Sequence, residues 1–252
     1  MFSLLGRYSR RMDLTNRVAV ITGASRGLGA GIAKVASERG MSLVLCSRST
    51  PALPPGSRTR TLEIDVSDPD AVDRVAREAT EHFGHVDLWV NNAGLLEPMG
   101  PLRDAPPQDL KDHFDVNVLG ATLGCRAFVR ILHETNRRGV LLNISSGAAR
   151  KPYAGWSAYC AGKAAIDRLS ETIALEEGDR LKVHAVAPGL IDSDMQAQIR
   201  KVADEEFPSA ARFRKAHADG TLIAPEVAGA ALLDLAFNPA AARDEVCVDL
   251  RD

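Results

Sequence analysis

The stretch from Arg17 to Arg39 limits this chain most. The apolar, β-branched run Arg17-Val-Ala-Val-Ile-Thr22 leads into Gly23-Ala-Ser-Arg-Gly-Leu-Gly29. A helical pattern follows from about Leu28 to Arg39, and Gly40 stops it. Glycines at a strand-to-helix turn let backbone N–H groups approach a phosphate, and the helix N-terminus adds partial positive charge. The spacing is G-x-x-x-G-x-G rather than G-x-G-x-x-G, so a tight turn that simply needs glycine is the competing reading.

The same alternation continues down the chain. Strands are expected at Ser42–Cys46, Thr61–Ile64, Val86–Val90, Gly139–Ile144, Leu181–Ala187 and Glu245–Val248. Ser67-Asp68-Pro69 supplies a cap and an N-terminal proline for a helix to about Phe83. Further helices are expected at about Gln108–Glu134, Ser157–Glu177 and Pro225–Phe237. Segments 51–56 and 95–107 read as proline-rich loops, and 191–220 as polar and poorly periodic. This pattern implies an α/β chain with a doubly wound parallel sheet and helices on both faces. One domain is expected over 13–252, after a poorly ordered tail at 1–12 in which Met12 is a candidate alternative start.

Composition removes several classes of function. A chain of 252 residues that is 45% hydrophobic can bury a sizeable core. A formal charge of −2 argues against nucleic acid as partner. No apolar run approaches the roughly 18 residues of a membrane span. In the tail, basic residues follow the apolar piece, the wrong order for a secretory signal. Cys46, Cys125, Cys160 and Cys247 are scattered, which fits buried small apolar residues, a reducing cytoplasm and no metal site.

Two features carry chemistry. Strand five ends in Ser145-Ser146, and Tyr159 and Lys163 stand four apart on an expected helix. An ammonium near a phenol lowers the phenol's pKa from about 10, which suits a proton carrier near neutral pH. Taken alone, such a pair reads more readily as a plain helix-surface contact. Strand two ends in Ser47-Arg48-Ser49 without an acid, and Arg26 lies in the glycine turn. Two guanidiniums there suit the 2′-phosphate of NADP(H) better than the ribose hydroxyl of NAD.

With Thr22–Gly29, Asp65-Val66, Asn91–Gly94, Asn117, Ser146, Tyr159/Lys163 and Pro188-Gly189 in that order, the chain resembles the short-chain dehydrogenase/reductase family. The resemblance implies a Rossmann-type domain and hydride transfer between NADP(H) and a carbonyl or alcohol. It implies Tyr159 as proton donor, Lys163 as holder of the nicotinamide ribose, and Ser146 as donor to the substrate carbonyl, with Ser145 as fallback. Asn117 would anchor a water relay. Gly23, Ser25, Arg26, Gly27, Leu28 and Gly29 would cradle the phosphates, with Arg48 on the 2′-phosphate. Asp65 and Val66 would sit near the adenine, and Asn91, Ala93 and Gly94 on the adenosine side. Pro188, Gly189, Ile191 and Ser193 would meet the nicotinamide. Members usually pair through their long helices, so a homodimer or homotetramer is implied.

Gly155-Trp156, Ala158–Ala165 and Asp192-Ser-Asp-Met-Gln196 resemble sepiapterin reductases and their bacterial relatives, some of which reduce aromatic diketones. Trp156 then lines the substrate pocket or simply packs, and Met195 joins the substrate residues. Asp249 either anchors a pterin edge or shapes the final turn. The reading is a carbonyl reductase for a small-molecule ketone or vicinal dicarbonyl. Alternatives are a 3-oxoacyl-thioester reductase, for which no basic patch is evident in the sequence, and a non-catalytic NADP-sensing protein. The joint presence of Asn117, Ser146, Tyr159 and Lys163 argues against the last.

Overall fold

The computed structural model describes residues 12–52, 54 and 58–252. Most of the expected tail therefore lies outside the described residues, whereas Met12 is partly buried against the core. Seven parallel strands form one sheet: β1 (Val18–Thr22), β2 (Ser42–Ser47), β3 (Thr59–Glu63), β4 (Leu88–Asn91), β5 (Gly139–Ile144), β6 (Leu181–Ala187) and β7 (Cys247–Asp249). Their spatial order is β3-β2-β1-β4-β5-β6-β7, so the direction of winding reverses between β1 and β4.

Every residue of β1 and β2 is buried. Burial on both faces is why these strands are continuously apolar rather than alternating. On one face, Ala19, Ile21, Leu43, Leu45 and Val90 pack under α1 (Gly27–Glu38) and α8 (Pro225–Phe237). On the other, Val20, Val44, Trp89 and Leu141 pack under α2 (Pro69–Phe83), α4 (Ala121–Glu134) and α5 (Ser157–Glu177). Trp89 stacks on Phe128 of α4 with centroids 6.0 Å apart.

Two expectations are corrected. The helix expected over 108–134 is α3 (Pro107–Phe114), a wider π-helical turn at Asp115–Gly120, and then α4. The wide turn holds Asn117, whose amide is tied across to the main chain of Leu95. Segment 191–220 contains α6 (Asp194–Lys201) and α7 (Ala210–Ala218). Helices this short show too few turns for periodicity to reveal them. Ser193-x-x-Gln196 is a capping-box signal, and the Ser193 hydroxyl does accept from the Gln196 N–H. A third apolar cluster, containing Trp156, Tyr159, Phe207 and Phe213, joins α5 to this segment. Cys46 and Cys125 are buried as expected, but Cys160 and Cys247 are partly exposed. No helix among the described residues is long and apolar enough to cross a membrane.

Arg39, just past α1, meets Asp234 of α8 at 2.7 Å, with both side chains almost fully buried. Removing one partner would leave an uncompensated charge in the core. Arg39→Met is therefore expected to destabilise the protein by about 3–5 kcal/mol, measured by urea unfolding. Arg39→Met/Asp234→Leu should recover most of that loss.

Candidate active site

The carboxyl ends of the strands open into a cleft of about 1050 Å³ at the β1/β4 reversal, where open α/β sheets place their ligands. The glycine turn forms one wall. Gly23 has φ +64°, and a Cβ there would lie 2.8 Å from Ala93 Cα. A Cβ on Gly29 would lie 2.3 Å from Gly23 O, so no larger residue fits either position. Arg26 occupies the N-cap of α1 with no side-chain cap bond. The first turn of α1 therefore presents uncapped main-chain amides beside the cleft.

Gly23, Ser25, Arg26, Gly27 and Leu28 line this wall. Arg48, Asp65 and Val66 line its far end, beyond β2 and β3. Asp65 accepts from the N–H and hydroxyl of Ser67, and the charge of Arg48 also acts on it. Desolvation is the largest influence on its carboxyl, but these donors outweigh it and hold the group below its ordinary pKa. Ala93 and Gly94 line the middle of the cleft, and Pro188, Gly189, Ile191 and Ser193 its opposite wall.

Three expected residues do not line the cleft. Gly29 supports the turn from behind. Asn91 points into the core, where it accepts from Trp89 Nε1 at 2.9 Å and donates to Asn143 Oδ1 at 2.9 Å. Its neighbour Asn92 is on the cleft instead, donating to the carbonyls of Thr22 and Gly23. Asn117 is buried, with Oδ1 accepting from Leu95 N at 2.6 Å and Nδ2 donating to Leu95 O at 2.8 Å. Its other amide hydrogen meets His113 Nε2 at 2.9 Å. His113 Nδ1 lies 2.6 Å from Glu97 O, which can only accept, so Nε2 is the unprotonated nitrogen. Desolvation lowers the pKa of this fully buried histidine, in keeping with the neutral ring. The sequence reading missed its role.

Ser146, Tyr159 and Lys163 converge on the cleft. The Ser146 hydroxyl oxygen accepts from Ala148 N, and the same hydroxyl acts on the Tyr159 phenol. Ser145, which also lines the cleft, donates to the Asp167 carboxylate. Lys163 Nζ donates to Ile144 O at 2.7 Å and sits 5.7 Å from the Tyr159 ring centroid. The expected lowering of the phenol's pKa is not seen. Burial raises it, and that effect outweighs the opposing influence of the Ser146 hydroxyl. Burial also pushes Lys163 down to about 8, against the attraction of Asp167.

Aromatic rings wall the other end. Trp156 is 4% exposed, stacks on Phe207 at 4.4 Å, and lies 5.1 Å from Tyr159. It both lines the cleft and packs in the aromatic cluster. Met195 lines the same end. Asp249 also faces it, but Arg251 Nε and Nη2 grip its two carboxylate oxygens at 2.8 and 2.5 Å. Arg150, Lys151 and Arg212 join Arg251 on the cleft lining. The basic patch not evident in the sequence is gathered here from three separate segments.

Residues 17–204 match the family model described as short chain dehydrogenase. The chain is 32% identical over 224 residues to benzil reductase ((S)-benzoin forming) of Bacillus subtilis (strain 168), covering 86% of this chain and 91% of that protein. It is 34% identical over 208 residues to 3beta-hydroxysteroid dehydrogenase 1 of Eggerthella lenta, covering 79% and 78%. The crystal structure of the KRED1-Pglu enzyme superposes with a TM-score of 0.83 at 32% identity, over 92% of this chain and 100% of that one. With the glycine turn, the parallel sheet and the Ser146/Tyr159/Lys163 cluster all in one cleft, this chain belongs to the short-chain dehydrogenase family of oxidoreductases.

Proposed function

We propose that the protein is an NADPH-dependent carbonyl reductase for aromatic vicinal dicarbonyls, with Tyr159 as proton donor. The observation that carries this reading is the convergence of Ser146, Tyr159 and Lys163 on one cleft beside the Trp156 wall. A bound nicotinamide dinucleotide would supply the hydride. The cleft fits such a group through the uncapped first turn of α1 and the close-packed Gly23.

In this reading Ser146 holds the carbonyl oxygen, and Tyr159 O–H gives it a proton as hydride reaches the carbon. The product is the hydroxy-ketone. A phenol with a raised pKa remains protonated at neutral pH, the form a donor needs. Lys163, still largely an ammonium at pH 7, stabilises the phenolate left behind. Arg26 and Arg48 would meet the 2′-phosphate, and Lys163 the nicotinamide ribose.

Similarity to the benzil reductases supports the dicarbonyl over a pterin. So does Arg251, which already fills the two-pronged acceptor of Asp249 that a pterin edge would need. The basic rim keeps a 3-oxoacyl thioester as second reading, and acetoacetyl coenzyme A belongs in the same NADPH-oxidation panel as benzil and sepiapterin. Leu119 and Leu175, exposed on the long helical segments, support pairing of two copies there.

Arg48→Asp is expected to shift kcat/KM toward NADH by tenfold or more; parent enzyme that uses NADH as well as NADPH would refute the cofactor reading. Tyr159→Phe should lower turnover about a hundredfold or more while cofactor binding persists, a split read by stopped-flow and by cofactor fluorescence titration. Lys163 loses its charge as pH rises through about 8. The reduction rate should therefore fall on that alkaline side, and a rate flat to pH 10 would contradict the role given to Lys163.

A further inference from the structure

The cations at the aromatic end are not explained by a neutral diketone. Arg150 and Lys151 follow β5, Arg212 lies on α7, and Arg251 follows β7. Arg212 Nη1 donates to the Tyr153 hydroxyl at 3.2 Å, and the Tyr153 ring lies 5.4 Å from Trp156. Arg251 reaches over Gly147, next to Ser146, its Nη2 lying 3.6 Å from where a Cβ would stand. Arg212 therefore stands one ring beyond Trp156 and two beyond Tyr159, while Arg251 stands beside the Ser146 turn.

Its charge is only partly offset from within. Among the described residues, Arg150 and Lys151 make no ion pair, and the side chain of Arg212 has only the neutral Tyr153 phenol as partner. The acids facing them are few. Asp249 is held by Arg251 and also acts on Arg150, Asp252 acts on Arg251, and Asp167 acts on Arg150 while accepting from Ser145. Glu97 also lines the cleft. Nor does the rim belong to the phosphate end. Arg48 follows β2, three strand positions from β5 and five from β7, or roughly 14 and 24 Å at about 4.8 Å per strand.

We propose that this rim binds an anionic group, a carboxylate or its equivalent, carried by the substrate beyond its reacting carbonyl. The inference rests on the carbonyl-reductase reading and narrows its substrate to acidic aryl dicarbonyls. Exposed guanidiniums attract an anion from a distance, weaken with salt, and grip a carboxylate in fork geometry.

The probes are benzil and 4-carboxybenzil, with binding measured by equilibrium dialysis in oxidised cofactor and turnover by NADPH oxidation. The carboxylated compound is expected to bind at least tenfold tighter at low salt, with most of that preference gone at 0.5 M sodium chloride. Arg150→Gln and Arg212→Gln should each lower the preference ratio about threefold or more, and Arg150→Lys should largely keep it. Equal binding of the two probes, a salt-independent ratio, or a ratio unmoved by both glutamine variants overturns the proposal. Absence of NADPH oxidation with either probe, by contrast, overturns the dicarbonyl reading, while the binding ratio still decides the anion subsite.

Discussion

A buried line of amides holds the site to the sheet. Trp89 Nε1 donates to Asn91, Asn91 donates to Asn143, Asn143 donates to Ser170, and Ser170 donates to Ile166 O, with each bond between 2.8 and 2.9 Å. Asn91 also donates to Ala121 O at the start of α4. Three elements are thereby fixed to one another: β4, β5 and α5, with α4 tied in beside them. Buried polar groups cost several kcal/mol when unpaired, so a fully paired line allows essentially one register. Tyr159 and Lys163 ride on α5, and Ser146 follows β5. Their convergence is set one layer below, by side chains that never reach the cleft.

That rigidity has an electrostatic consequence. Tyr159 and Lys163 are held in a dry setting where each charged form is disfavoured, the phenolate by a raised pKa and the ammonium by one lowered to about 8. The Tyr-x-x-x-Lys spacing correctly gave one helix face, yet not the balance of effects. Coulomb attraction acts over the 5.7 Å from Nζ to the ring, while Nζ itself turns to the Ile144 carbonyl. Desolvation acts on both groups at once and outweighs it.

Much was legible in the sequence because it rests on local rules. The glycine turn, the strand-end serine, the fully helical Ser157–Glu177 and the absence of an acid after β2 follow from propensity, period and motif. What escaped needs three dimensions. Asn91 and Asn92 are interchangeable in a linear reading, and only strand alternation sends one into the core and the other to the cleft. His113 matters through a contact across one turn and a loop. The basic rim draws on residues 150, 151, 212 and 251, and no linear window spans those. Helices α6 and α7 hid because eight or nine residues carry little periodic signal, although the Ser193–Gln196 cap did announce the first.

The two arginines facing acids across the cleft differ in what they can release. Arg26 meets Asp194 at 3.1 Å with both side chains about two-thirds exposed. Such a pair contributes roughly 0–1 kcal/mol, so a phosphate approaching α1 can take over the guanidinium at little cost. Arg251 meets Asp249 through two parallel bonds, and the Asp249 side chain is only 9% exposed. Charge-assisted paired bonds in a drier setting are the stronger kind, so a neutral N–H edge gains little by competing for that carboxylate. At one end of the cleft the arginine is available to an anion, and at the other the aspartate is closed to a neutral donor. The hydroxyls of Ser146 and Tyr159 lie between these two pairs, one exposed and easily exchanged, the other drier and doubly bonded.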